Sequence, residues 1–124
     1  MFEFVDAYNQ AWEAAASQHE LSTAHACVLG RVATRHSMGE LAEELRCDAS
    51  NITQIVTRLE ARGLVQREPN PEDRRSRQIV RTPSGDELYG AFEESFEFPR
   101  AAATKLTVAE RKQLTALLHK ALRR

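Results

Sequence analysis

Met38, Leu41, Ala42 and Leu45 recur at i, i+3, i+4 and i+7, and Ile52, Ile55, Val56 and Leu59 repeat that spacing a few residues later. This period is the stripe of an amphipathic helix rather than the alternation of a strand. Arg46-Cys47-Asp48 separates the two helices. Ser37 and Glu40 have capping-box spacing, each side chain placed to bond the other's backbone N–H, and so open the first helix. Asp48 is expected to cap the second, its carboxylate accepting from unpaired N–H groups at the positive helix end. Gly63 follows as a left-handed stop residue, with Leu64 packing back on the core. The pattern then changes: Val65-Gln66-Arg67-Glu68 and Arg77-Gln78-Ile79-Val80-Arg81 read as the strands of a hairpin. Pro69 through Ser76 carries the turn chemistry between them. Helix, turn, helix and hairpin in this order predict a winged helix-turn-helix, so the fold class is mainly α with a small β-hairpin wing.

The two ends of the chain carry further stripes. Phe4, Tyr8, Ala11, Trp12 and Ala15 share one face of an opening helix, and Leu88, Phe92 and Phe96 stripe a helix after the hairpin. Pro99 should break or kink that helix near Phe98. Thr107 and Glu110 form a second capping box, followed by Leu114, Leu117, Leu118, Ala121 and Leu122. Helices this short gain little stability alone, so the terminal stripes need each other or a second subunit. The expected organisation is one compact chain: residues 1–20 a dimerisation helix, 21–82 the winged helix-turn-helix, 83–124 further dimerisation helices. Phe4, Tyr8, Trp12, Leu114, Leu117, Leu118 and Leu122 are the candidate interface residues.

At about 100° per residue, the face of the second helix opposite its apolar stripe is Ser50, Gln54, Thr57 and Ala61, flanked by Asn51, Thr53 and Arg58. It is polar and nearly uncharged, unlike a solvated face rich in Lys and Glu. Amides pair bidentately with adenine, and hydroxyls bond bases or phosphates. Taken alone, this is equally an ordinary surface that lacks charge. The hairpin decides between the two, because it clusters Arg74, Arg75 and Arg77 beside Asp73. Asp73 is expected to hold an Arg side chain by a charge-assisted bond, and arginine suits a narrow minor groove. Directly after a helix-turn-helix, these residues predict a surface for double-stranded DNA: Asn51 and Gln54 on base edges, Arg58 on phosphate, the arginines of the turn in the minor groove.

The 124 residues carry a formal net charge of −1, which is not that of a generic nucleic-acid-binding protein. The distribution says more. Residues 1–45 hold two arginines and seven acids; residues 46–81 hold eight arginines and five acids. The positive block therefore coincides with the proposed DNA-facing segment. No apolar run is long enough to span a membrane and no signal peptide is evident, so a cytoplasmic protein without a membrane partner is expected. Cys27 and Cys47 lack ligand spacing; Cys47, just before a helix N-terminus, leaves an oxidant-sensing role open. His19, His25, His36 and His119 are scattered, and no metal site or cofactor is expected. No P-loop, GxGxxG, HExxH or GxSxG pattern occurs, and no catalytic residues are assigned.

The chain resembles the multiple antibiotic resistance regulator (MarR) family of transcription factors. The matches are Leu21-Ser22 opening a helix, Glu40-Leu41-Ala42, Arg58-Leu59-Glu60 with Gly63-Leu64-Val65, then Arg67, Asp73-Arg74-Arg75, Thr82 and Gly85, and finally Leu106-Thr107 with Glu110. By analogy Asp73 and Arg75 are the family's wing pair, and Ser50, Asn51, Thr53 and Gln54 fall where its recognition helix meets bases. The resemblance implies a dimer and a small phenolic or lipophilic effector. The whole reading is a homodimeric repressor or activator on a pseudo-palindromic operator, with repression released by the effector as the first expectation. Three features depart from the pattern. Twenty residues precede Leu21, fewer than many members carry; Arg81 replaces an apolar residue before Thr82; Pro99 interrupts the helix after the wing. Two competing readings are a cysteine-based oxidant sensor and a winged helix used for protein–protein contact.

Overall fold

A computed structural model describes residues 1–123. Seven helices and three short strands follow the chain: α1 (Phe2–Gln18), α2 (Thr23–Arg31), β1 (His36–Ser37), α3 (Met38–Leu45), α4 (Ala49–Ala61), β2 (Val65–Asn70), β3 (Asp73–Arg81), α5 (Pro83–Ser95), α6 (Phe98–Thr104) and α7 (Val108–Leu122). The sheet is antiparallel with β3 in the centre, between β1 and β2. The architecture is a winged helix-turn-helix, mostly helical with one small sheet.

The core forms where the predicted stripes meet. Leu41 of α3 and Ile52, Ile55, Val56 and Leu59 of α4 are buried against Val28, Leu29 and Val32 of the α2 region. Leu64, Val65 and Ile79 close the sheet side. The α3 capping box is present, with Ser37 Oγ accepting from Glu40 N–H at 3.1 Å and the Glu40 carboxylate accepting from Ser37 N–H at 3.1 Å. The Ser37 N–H bonded to the carboxylate, and then the Ser37 hydroxyl beside it, stabilise the charged form and hold the Glu40 carboxyl below its ordinary value. The same box opens α7 at Thr107 and Glu110. Gly63 has φ 73°, the left-handed stop that follows α4.

One local expectation is corrected. Asp48 occupies the N-cap position of α4, yet its side chain makes no capping bond. The site is exposed, so first-turn N–H groups need no protein acceptor, and the carboxylate acts there only through its charge. The hairpin turn lies where expected, from Pro69 to Ser76, but carries one further pair inside it. The regular ladder runs from Val65 opposite Arg81 to Pro69 opposite Arg77; after a register shift Asn70 pairs with Asp73, so Arg74-Arg75-Ser76 bulge from β3 and Pro71-Glu72 form the tip. Side chains replace the missing ladder bonds: Asn70 Oδ1 accepts from Glu72 N–H at 3.0 Å, and Asn70 Nδ2 donates to Ser76 Oγ at 3.2 Å. The strand β1 was not foreseen; its two residues, opposite Gln78 and Ile79, are too few to show an alternation.

The helix after the wing breaks where Pro99 implies. Pro99 sits in the first turn of α6, and Phe96-Glu97 forms the break. Arg100 spans it, donating to the carbonyls of Glu93 and Glu94 at 3.0 and 2.9 Å. The aromatic stripe of α1 closes on this region within the same chain. Trp12 meets Phe92 edge-on with centroids 4.7 Å apart, Tyr8 meets Phe96 at 5.1 Å, and Phe4 meets Phe98 at 5.2 Å. Trp12 is thereby half-buried without a second subunit. Helix α7 differs: Leu114, Leu117, Leu118 and Leu122 are 43–77% exposed. Among the described residues, no helix is long and apolar enough to cross a membrane.

The junction from wing to α5 is stitched by Thr82. Its N–H donates to Leu64 O at 3.1 Å, its hydroxyl donates to Gly63 O at 2.6 Å, and the same oxygen accepts from Gly85 N–H at 3.1 Å. This draws Gly85 onto the Leu64 backbone so closely that a β-carbon there would overlap the Leu64 carbonyl. Gly85→Ala is therefore expected to destabilise the fold by roughly 1–3 kcal/mol or more, since backbone cannot swing aside as a side chain can. Thermal unfolding checks this; an unchanged midpoint would contradict the packing.

Candidate nucleic-acid interface

Helix α4 turns its buried stripe inward and presents Ser50, Asn51, Thr53, Gln54, Thr57 and Arg58, all exposed, on one continuous surface. The two threonines are less available than their type implies. Thr53 Oγ1 donates to Ala49 O at 2.9 Å and Thr57 Oγ1 to Thr53 O at 2.8 Å, so both hydroxyl protons are committed to the helix backbone. Thr57 Oγ1 also accepts from Arg67 Nη2 at 3.1 Å. Ser50, Asn51 and Gln54 have no side-chain hydrogen-bond partner among the described residues, so their polar groups remain open to a ligand.

Arg67 braces the candidate surface, a placement the sequence did not reveal. From β2 it reaches both Thr57 and Glu60 of α4, with Nε 3.4 Å from Glu60 Oε1. The Nε is buried without a hydrogen-bond partner, so the Glu60 contact is ionic rather than well aligned. Arg67 props the base of the wing against the flank of α4. Its spacing, ten residues beyond Thr57 across a tight stop, gives no local signature.

On the wing, Asp73, Arg74, Arg75 and Arg77 are all exposed. Asp73 does not hold an arginine side chain. Its Oδ1 accepts from the backbone N–H of Arg75 at 3.0 Å. The bulge that follows Asp73 explains the difference: a carboxylate at its start finds the N–H two residues on nearer than any guanidinium. Asp73 thus fixes the course of the wing backbone, and Arg74, Arg75 and Arg77 have no carboxylate within ion-pair distance among the described residues. One side of the wing base is braced separately by Arg35 and Glu68 at 3.0 Å.

Arg81, noted in the sequence only as a departure, clips three elements together. Its Nε lies 2.8 Å from Asp86 Oδ1, its Nη1 donates to Leu29 O at 3.3 Å, and its guanidinium stacks 4.7 Å from the Tyr89 ring centre. The Arg81-to-Asp86 spacing across a helix start was the available signal. On the opposite side His36 joins β1 to α3, its Nε2 2.7 Å from Glu44 Oε2 and its Nδ1 2.8 Å from Thr34 O, with Arg31 3.6 Å from the same carboxylate.

The remaining candidates do not assemble into a reactive centre. His19 bonds Ser95 at 2.9 Å, His36 is engaged as above, and no group of three His, Cys, Asp or Glu among the described residues is placed to hold a metal. Cys27 and Cys47 are unbonded to each other. Burial pushes the Cys27 thiol up, against a smaller opposing pull from Arg31, and so disfavours its thiolate. The Cys47 thiol donates to Leu45 O at 3.4 Å. A recess of about 450 Å³ lies between α1 and α2, lined by Tyr8, Asn9, Trp12, Glu13, Thr23 and Cys27.

Residues 31–76 match the model of the MarR family, a segment that contains α3, α4 and most of the wing. A protein of Thauera aromatica named, provisionally, as a transcriptional regulatory protein for the hcr operon is 32% identical over 88 residues. That alignment takes in 70% of this chain and 53% of the relative, so the chain spans about half the length of the curated protein it matches. Among solved structures, apo MarR from E. coli superposes with a TM-score of 0.80 at 24% identity, covering 98% of this chain and 93% of that one. MepR of S. aureus in a complex with DNA gives a TM-score of 0.78 at 23% identity, with 98% and 93% covered. Those structures establish the fold across nearly the whole chain, and the segment that matches the MarR family is the helix-turn-helix and wing that the geometry singles out.

Proposed function

We propose that the chain is a sequence-specific DNA-binding transcriptional regulator that acts in the cytoplasm, as a homodimer on a pseudo-palindromic operator. One observation carries the reading: an exposed, nearly uncharged amide-bearing face on α4 stands beside a hairpin of three arginines without acidic partners, both fixed to one core. In this reading Ser50, Asn51 and Gln54 meet base edges in a major groove and Arg75, with Arg74 and Arg77, follows an adjacent minor groove. Thr53 and Thr57 present acceptor oxygens and methyl groups. The reading is supported by the solved relatives, among them a MarR variant of E. coli complexed with operator DNA, TM-score 0.77 at 24% identity.

Residues 1–20 and 83–124 supply the dimerisation region. The exposed Leu114, Leu117, Leu118 and Leu122 of α7 form its centre, and Phe4 and Tyr8, only part-covered by α5 and α6, lie at its margin. Regulation is by repression, relieved when a small phenolic or lipophilic effector occupies a site between the dimerisation helices and the DNA-binding part. The recess beside Tyr8 and Trp12 has the aromatic lining such a ligand needs. A cysteine switch is less well supported, because the half-buried Cys27 thiol is shifted away from its reactive form and the Cys47 thiol donates to Leu45 O.

Selection of bound sequences from a random DNA pool tests the function directly; failure to enrich any sequence counts against it. The enriched site should contain two half-sites about one helical turn, roughly 10 base pairs, apart. In sedimentation, the chain should run as a two-chain species, and Leu118→Glu should shift it to one chain. A dimer that survives this change would move the interface away from α7.

Gln54→Ala should relax sequence preference at the base it contacts by about 1–3 kcal/mol, read by repeating the selection. An unchanged preferred site removes Gln54 from base reading. The wing tip separates charge from geometry. Asp73→Asn keeps an acceptor for the Arg75 N–H and loses the negative charge, whereas Asp73→Ala loses both. Asp73→Asn should therefore bind operator more tightly than Asp73→Ala, by about 0.5–1.5 kcal/mol for the lost hydrogen bond. Equal affinities would mean that Asp73 matters only as a charge.

A further inference from the structure

The flank of α4 opposite the wing carries a second cationic feature. Around the helix, Thr53, Thr57 and Glu60 lie on the side toward β2, where Arg67 touches the last two. Arg58 and Arg62 lie on the other side, toward the start of α2. Together with Glu20, His25, Leu59 and Ala61 they line a recess of about 330 Å³. Arg62 is held in place by carbonyls rather than by a carboxylate, donating to Glu20 O at 2.8 Å and His19 O at 3.2 Å. Such bonds fix the guanidinium and leave its charge uncompensated. Arg58 has no ion-pair partner among the described residues. The groups facing His25 are thus Arg58 and Arg62 from α4 and the single acid Glu20 from the turn before α2.

A helix with its side chains is about 10–12 Å across, and the DNA major groove is about 12 Å wide. A helix that fills the groove therefore meets phosphates on both flanks. One flank of α4 is the wing side; the other is the recess. We propose that the recess formed by His25, Arg58 and Arg62 seats a DNA backbone phosphate and takes up a proton on His25 as it does so. The proposal rests on the DNA-binding reading given above and adds a residue, His25, and a proton linkage to it.

In the unbound chain, burial first, then the Arg58 and Arg62 charges, hold the His25 imidazole below its ordinary value of 6.5. The ring is thus neutral near pH 7. A phosphate in the recess offsets both guanidiniums and favours the imidazolium, so its affinity for a proton rises on binding. Binding with proton uptake tightens as pH falls. The gain begins as pH drops toward the ordinary imidazole range and ends once His25 of the unbound chain is itself protonated.

The test is the affinity of the full chain for its selected operator from pH 8 to 5.5 at fixed ionic strength, with the His25 ring titration followed by NMR in the free and bound states. The expected result is tightening of up to about tenfold per pH unit for each recess occupied, a His25 titration moved upward by operator, and loss of that slope in His25→Asn. Inorganic phosphate alone is the second arm. Competition by phosphate that flattens the pH profile supports the seat, whereas a His25 titration moved by phosphate but not by operator overturns DNA as its occupant. Intact operator binding with no pH slope, or a slope retained in His25→Asn, overturns the seat and leaves the regulator reading standing. Absence of DNA binding at every pH removes both. Wild-type NMR titration decides the matter even if His25→Asn folds poorly.

Discussion

The burial of one side of α4 is the constraint on which the rest depends. Ile52, Ile55, Val56 and Leu59 must all leave water, and removing that apolar area is the main favourable term the helix contributes. Because α2, α3 and the base of the sheet all pack on this stripe, its orientation determines which side of the helix faces outward. The exposed side can then be short and uncharged without cost to folding, because stability comes from the other face. Arg67 and Thr82 add direction to this: one holds the hairpin against α4, the other ties the α4 stop to the start of α5.

Electrostatics follow the same division. Most described ion pairs sit at the edges of the helix-turn-helix, at Arg31 with Glu44, Arg35 with Glu68, and Arg81 with Asp86, and one, Arg67 with Glu60, joins the wing to α4. All are at least partly exposed, where a pair contributes about 0–1 kcal/mol, so they orient elements more than they stabilise them. Arg58 on α4 and Arg74, Arg75 and Arg77 on the wing have no acidic partner among the described residues, and they lie on the surface that α4 and the hairpin share. A chain with a net charge of −1 therefore presents a positive side by arrangement rather than by composition.

Much of this was legible in the sequence because helix stripes and caps are local signals. The period of Met38 to Leu45 and of Ile52 to Leu59, the capping boxes at Ser37 and Thr107, the stop at Gly63 and the break at Pro99 each depend on residues within one or two turns. What escaped depends on partners distant in sequence or on competition between nearby ones. Arg67 and Arg81 acquire roles only when the sheet brings them to α4 and α5. Asp73 was legible as a wing residue but not as a backbone acceptor, because sequence shows the charges near it and not the N–H that lies closer. Asp48 had the right type for a cap at a site where solvent competes equally well. The recess at His25 joins residues more than thirty positions apart and has no linear signature. The aromatic stripe of α1 was visible as a stripe, but its partners Phe92, Phe96 and Phe98 lie at the other end of the chain.

The single residue between β3 and α5 has a further consequence. Thr82 is bonded on both sides, Arg81 is clipped to Asp86 and Leu29, and Gly85 rests on the Leu64 backbone. Strand and helix are therefore one stiff piece, and the chain has two unlike places at which its length could change. At Pro71-Glu72 an added residue lengthens an exposed loop and costs a small increment of closure entropy. At Thr82 an added residue would turn every side chain of α5 by about 100° relative to the sheet, carrying Phe92 out of the core. Natural variation in length among chains of this shape should accordingly collect at the wing tip and be absent from its root.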